Sequence, residues 1–226
     1  MSLALHVRDL EVHAPNGRVL VRARQLDVAP GETVGLRGPS GAGKSSLLYA
    51  LAGLQARMSG AVVWGDTDLT PLNDHTRARF RRQYMGMIFQ DFLLFEELGA
   101  LNNASLAAAF GAPSERHQIR HTARTLLQRL GLTDLGRTVE SFSGGERQRV
   151  AVARALSNNP KVILADEPTA SLDRAAGDTL IADLTRMARD EGRTLVVVSH
   201  DDSLLSQLDR VLQVVDGELK QETRHV

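Results

Sequence analysis

Cysteine is absent from all 226 residues, which excludes disulfides and thiolate metal sites and permits a reducing compartment. Long apolar runs are missing too. The longest stretches, such as Thr194 to Val198, fall far short of the roughly 20 residues that cross a bilayer, and the N-terminus has no basic segment followed by an apolar one. The expectation is a chain that neither spans a membrane nor is exported, with the cytosol as its default location. Neither sign of charge is in excess. Lys plus Arg and Asp plus Glu number 27 each, so nothing electrostatic argues for nucleic acid or an anionic membrane surface as partner. No internal repeat, low-complexity linker or heptad run interrupts the chain. What remains, 42% hydrophobic and 24% charged, is the composition of an ordinary globular protein, and its length permits one domain carrying an inserted subdomain.

The first segment alternates short apolar runs with turns: Leu3 to Val12, a turn at Pro15-Asn16-Gly17, Val19 to Val28, Pro30-Gly31, then Thr33 to Leu36. This spacing predicts a small β-rich region. A helix is expected over Lys44 to Leu54 and further strands at Ala61 to Trp64 and Met85 to Phe89. From Asp91 to Asn159 the apolar positions recur at helical spacing, notably in Leu101 to Phe110 and Ile119 to Leu130. Strand signals return at Val162 to Ala165 and Leu195 to Ser199, on either side of a helical stretch from Ala176 to Arg189, the alternation expected of a parallel sheet. Val211 to Val215 followed by Asp216-Gly217 predicts a final hairpin. The chain is therefore expected to be α/β, with residues 1–90 and 160–226 forming a core around a mostly helical insertion over 91–159.

Gly38-Pro39-Ser40-Gly41-Ala42-Gly43-Lys44-Ser45 satisfies G-x-x-x-x-G-K-[ST] between an apolar strand and a helix. Glycines let the backbone curl so that successive N–H groups point inward, and the helix start adds the positive end of its dipole, which together bind phosphate oxygens. Lys44 would reach the terminal phosphates of a nucleotide, Ser45 would give its hydroxyl to Mg2+, and Ser46 would make a secondary phosphate contact. A second acidic element follows the apolar run Val162 to Ala165. Read alone, Asp166-Glu167 is more often a solvated loop end. In a parallel sheet, however, ligands sit at the carboxyl ends of strands, so the two segments converge. Asp166 is then placed to hold Mg2+, and Glu167 to accept a proton from an attacking water.

Phe142-Ser143-Gly144-Gly145-Glu146-Arg147-Gln148-Arg149 precedes a helical run, Val150 to Leu156. Ser143 has the side chain of a helix cap, and Gly144 and Gly145 expose backbone N–H groups, a second anion-binding helix start. This segment resembles the L-S-G-G-Q signature of ATP-binding cassette proteins, with Phe142 in place of Leu and Glu146 in place of Gln. The resemblance covers nearly the whole chain and implies a P-loop NTPase cassette with a parallel core sheet, an N-terminal antiparallel β region and an inserted α-helical subdomain. It implies that Ser143, Gly144 and Gly145 close over ATP held by another subunit's phosphate loop, either in a homodimer or with a related cassette. It further implies that Gln90 touches Mg2+ and the lytic water, that Ser171-Leu172-Asp173 crosses the dimer interface, and that His200 contacts the γ-phosphate and aligns Glu167 with water. The family usually stacks an aromatic ring on adenine from a segment before the phosphate loop. Here that stretch, His13 to Asn16, offers only the His13 ring.

The resemblance thus implies an ATPase subunit with ATP and Mg2+ as cofactors, docked on a transmembrane permease at the inner face of the cell membrane. Leu69-Thr70-Pro71-Leu72, the basic run Arg77 to Arg82, Gly86 to Gln90 and Asn158-Asn159-Pro160 with Leu164 to Thr169 resemble bacterial lipoprotein-releasing ATPases, with macrolide-export and cell-division relatives sharing much of the pattern. A solute importer is the alternative, disfavoured because the chain ends soon after its final hairpin, without an added regulatory domain. Non-transport cassettes, in DNA repair, chromosome organisation or ribosome binding, carry long coiled coils or fused cassettes that are not seen here.

Overall fold

The computed structural model describes residues 2–170 and 172–220. The chain opens with β1 (Leu5–His13), β2 (Val19–Val28) and β3 (Thr33–Arg37), followed by α1 (Lys44–Leu51), β4 (Met58–Trp64), β5 (Thr67–Asp68), α2 (Asp74–Tyr84) and β6 (Met85–Ile88). The middle is helical: α3 (Ala100–Ala104), a 3-10 turn over Leu106–Phe110, α4 (Pro113–Arg129) and α5 (Gly144–Leu156). Strands resume with β7 (Val162–Asp166), α6 (Arg174–Asp190), β8 (Thr194–Val198), the short α7 (Asp202–Leu205), β9 (Arg210–Val215) and β10 (Glu218–Lys220).

Among the described residues, ten strands join one sheet in the order β5-β4-β1-β2-β10-β9-β3-β8-β7-β6. Its two halves differ in kind. From β9 to β6 every neighbour is parallel, whereas β1 pairs antiparallel with both β2 and β4. The β9–β10 hairpin, turning at Asp216-Gly217 as the sequence predicts, joins the halves, since β10 lies parallel to β2 through Glu218 and Arg22. Alternation explains how the parallel half is buried on both faces. Val162, Leu164, Val196 and Val198 pack into one core with α1 and the N-terminal strands. Their neighbours Ile163, Ala165, Leu195 and Val197 face the opposite way, into a second core with α5, α6 and the residues of α3 and α4. The helical middle therefore packs on the sheet through a shared core.

One element departs from the sequence reading. α2, which contains the basic run, shows no apolar period because only Arg77 and Phe80 are buried along it. Arg77 is spent internally, donating through Nε to Leu69 O at 2.9 Å and through Nη2 to Thr70 O at 2.7 Å. Its helix is opened by Asn73, whose side chain accepts from the Thr76 N–H. No helix among the described residues is long and apolar enough to cross a membrane.

Candidate functional site

β3 ends at Arg37 and the chain turns through Gly38 to Gly43 before α1 begins at Lys44. Two glycines leave no choice at this turn. Gly38 has φ +155 and an added Cβ would stand 2.0 Å from Val214 O, while Gly43 has φ +97 and its Cβ would stand 2.5 Å from Leu20 O. Gly43 is also the residue before the first turn of α1, where no side chain caps the helix and no acidic residue is present. The N–H groups there and the positive helix end are thus left for an anion. Lys44 folds back over the loop, donating from Nζ to Gly38 O at 2.9 Å and Pro39 O at 3.0 Å. Burial draws its ammonium below the usual lysine range, against the pull of Glu167 and Asp166, which favour the charge.

An open cleft of about 950 Å³ lies over this loop. Pro39, Ser40, Gly41, Ala42, Gly43, Lys44, Ser45 and Ser46 line it, and so do Gln90, Glu167 and His200, each from a different strand end. Gly38 forms the turn beneath. Asp166, 1% exposed at the end of β7, lies under the cleft floor, where its Oδ1 accepts from Ser45 Oγ at 3.0 Å and its Oδ2 from the Tyr49 hydroxyl at 2.7 Å. Tyr49 was not foreseen in the sequence. The signal was present: Ser45 and Tyr49 are four residues apart, hence on one face of α1. Burial, then the hydrogen bond to Asp166 and its charge, push the Tyr49 phenol far above the usual range.

Glu167 leaves the line of β7 through a left-handed φ of 45°, an uncommon conformation for a non-glycine residue. Its backbone N–H donates to Val198 O at 2.9 Å, so the turn is pinned to β8. The carboxylate Oε2 accepts from the His200 N–H at 3.3 Å. Oε1 is buried, stands 3.2 Å from His200 Nε2 in poor alignment, and has no hydrogen-bond partner. Burial raises the Glu167 carboxyl above the usual range, His200 and Lys44 oppose this, and Asp166 adds to it. A carboxylate so raised, on a residue that lines the cleft, is equipped to take a proton from water. The donor set also fits a small hard cation between phosphates and protein: one buried carboxylate, a serine hydroxyl and the Gln90 amide.

A model of the family described as "ABC transporter" matches residues 21–170. The chain is 42% identical over 199 residues to an uncharacterized ABC transporter ATP-binding protein, YbbA of Escherichia coli, covering 88% of this chain and 87% of that one. It is 43% identical over 202 residues to the lipoprotein-releasing system ATP-binding protein LolD of Maricaulis maris, covering 88% and 87%. Among solved structures, the dimeric bacterial ABC transporter cassette MJ0796 superposes with a TM-score of 0.88 at 32% identity, covering 97% of this chain and 98% of that one. This chain belongs to the ATP-binding subunits of ABC transporters. Cassettes of this family bind ATP, typically with Mg2+, and act as dimers on transmembrane partners.

In this cassette the signature segment stands apart from the cleft: Ser143, Gly144 and Gly145 are not among the residues lining it. Ser143 caps α5, accepting from the Glu146 N–H at 3.3 Å, while Glu146 Oε2 accepts from the Ser143 N–H at 2.9 Å. The two departures from L-S-G-G-Q meet on one partner. Arg137 lies 4.2 Å over the Phe142 ring and donates to Glu146 Oε1 at 2.8 Å. The Ser143 N–H first, then the Ser143 hydroxyl and Arg137, hold the Glu146 carboxyl below its usual range, outweighing slight burial. Leu172 packs near Gly145, where an added Cβ would approach its Cδ2 to 3.1 Å, and Asp173 caps α6 by accepting from the Ala176 N–H at 2.9 Å. Ser171 lies outside the described residues.

Gln90 opens a strained bend, with Phe92 and Leu93 both left-handed at φ 58° and 51°. Arg154 of α5 holds that bend, donating to the carbonyls of Phe92, at 2.6 Å, and Leu93. The bend beside the cleft is thus tied to the helix that carries the signature. His13, the ring the sequence offers for adenine, lies 3.4 Å from Glu11 Oε2, and Arg18, Val19 and Leu20 stand in the cleft wall.

Proposed function

We propose that this cassette hydrolyses ATP as one of two subunits that close head to tail, and that closure drives a mechanical transporter of the lipoprotein-release or macrolide-export kind. The observation that carries the hydrolytic part is the convergence of Glu167, His200 and Gln90 on the cleft over the phosphate loop. ATP would lie with its phosphates along the N–H groups between Gly38 and Ser46 and its terminal phosphate toward Lys44. Mg2+, when bound, would neutralise charge between the terminal phosphates, held by Ser45, Asp166 and Gln90. Glu167 would accept the proton of a water placed in line with the terminal phosphate. His200 would fix Glu167 and contact the γ-phosphate. Most of the rate would come from positioning and electrostatics, because phosphoryl transfer asks little covalent chemistry of the protein.

The second half of each ATP site would come from Ser143, Gly144 and Gly145 of the other subunit. The bend after Gln90, held by Arg154, would convey closure to the helical middle, where a permease subunit would dock on the cytoplasmic side. Similarity to lipoprotein-releasing relatives supports the choice of transporter. Affinity capture of a tagged Glu167→Gln protein from solubilised membranes with ATP tests it. A membrane protein with few spanning helices and a large extracytoplasmic domain is expected. A many-helix permease with a solute-binding protein would replace this reading by import, and recovery of only ribosomes or DNA would overturn transport altogether.

A further inference from the structure

Asp166 is buried to 1% exposure, and both its oxygens are taken by hydroxyls that α1 supplies one turn apart. Ser45 is part of the phosphate-loop pattern. Tyr49 is not, and its hydroxyl makes the shorter of the two bonds, at 2.7 Å against 3.0 Å. Its ring lies 6.0 Å, centroid to centroid, from that of Phe89, the residue before Gln90. Tyr49 therefore touches, through its two ends, the buried carboxylate and the segment carrying Gln90. We propose that Tyr49 is a positioning residue for the divalent-cation site: its hydroxyl fixes the Asp166 carboxylate so that Oδ1 stays toward Ser45 while Oδ2 is turned away. This rests on the reading of the cleft as a Mg-ATP site.

The physical reason is rotational. A carboxylate with one oxygen bound by a phenol cannot swing about its Cβ–Cγ bond without breaking a charge-assisted hydrogen bond in a water-poor place. Outer partners of this type commonly change metal affinity by about 10–100-fold when removed. Nothing in the arrangement gives Tyr49 a contact with the nucleotide, since it does not line the cleft. Its loss should fall on the cation and spare metal-free nucleotide binding.

The test measures Mn2+ binding by electron paramagnetic resonance in the presence of a non-hydrolysable ATP analogue, alongside binding of the same analogue without metal. Tyr49→Phe, which keeps the ring against Phe89, should weaken Mn2+ binding by about 10-fold and leave metal-free analogue affinity unchanged. Tyr49→Leu should match it in Mn2+ affinity while melting at a lower temperature, because it also loses the ring contact. Mn2+ affinity of Tyr49→Phe within about twofold of the parent, or an equal loss of metal-free analogue binding, would overturn the positioning role. A parent protein that bound the analogue yet held no more Mn2+ than free analogue would overturn both this role and the reading of the cleft beneath it.

Discussion

α1 and α5 both begin at glycine-bearing turns, and they begin in opposite ways. α1 starts after Gly43 with no side-chain cap and no acidic residue in its first turn. α5 starts after Ser143 with a complete capping box, Glu146 having turned its own carboxylate back over the helix end. An open helix start is a standing offer to an anion, whereas a self-capped one already holds an anionic group. On the proposed reading, the open start of α1 would hold the phosphates of its own subunit's ATP, and the start of α5 would complete the site from the other subunit. It also gives the two departures in the signature a physical sense. Phe142 and Glu146 share Arg137, which stacks on one and pairs with the other, so the extra negative charge at α5 is balanced on the spot.

The comparison sharpens first at α1. Lys44→Ala removes the ammonium beside the open helix start and should weaken ATP binding by about 10–100-fold, measured by titration calorimetry. An unchanged affinity would mean that the loop does not hold the phosphates. At α5 the effect should be smaller and should appear as stability. Arg137→Ala removes an exposed cation–π contact and a surface ion pair and should cost roughly 1 kcal/mol, a fall in melting temperature of about 2–4 °C. The Glu146 carboxyl is held below its unfolded range, so its contribution is present above that range and lost as pH falls through the lowered value. Amide protection at the start of α5, measured against the intrinsic exchange rate at each pH, should therefore fall in acid while that of α1 does not follow. Equal behaviour of the two helix starts would erase the distinction.

Legibility in the sequence followed the same physics. Phosphate loop, acidic strand end and signature were readable because each is local: spacing alone puts the right atoms on a turn, a strand end or a first helical turn. The parallel half of the sheet was readable from apolar runs such as Leu195 to Val198. Less local matters were hidden. α2 carries arginines whose partners are carbonyls outside the helix, Arg77 on Thr70 and Gln55, so its burial leaves no apolar stripe. Tyr49 could have been found from its spacing to Ser45, but a tyrosine among Leu47, Leu48, Ala50 and Leu51 gives no hint that its hydroxyl meets an aspartate 117 positions later. The strain at Glu167, Phe92 and Leu93 is likewise invisible to any pattern of residue types.

Central to the account is the claim that the open start of α1 and the closed start of α5 are two halves of one site, joined across subunits. Sedimentation velocity of Glu167→Gln with ATP, alone and combined with Ser143→Arg, tests this most directly. ATP should convert Glu167→Gln from monomer to dimer, and Ser143→Arg should abolish the dimer while ATP affinity of the monomer stays the same. A protein that remains monomeric at saturating ATP, or a dimer that survives Ser143→Arg, would contradict it.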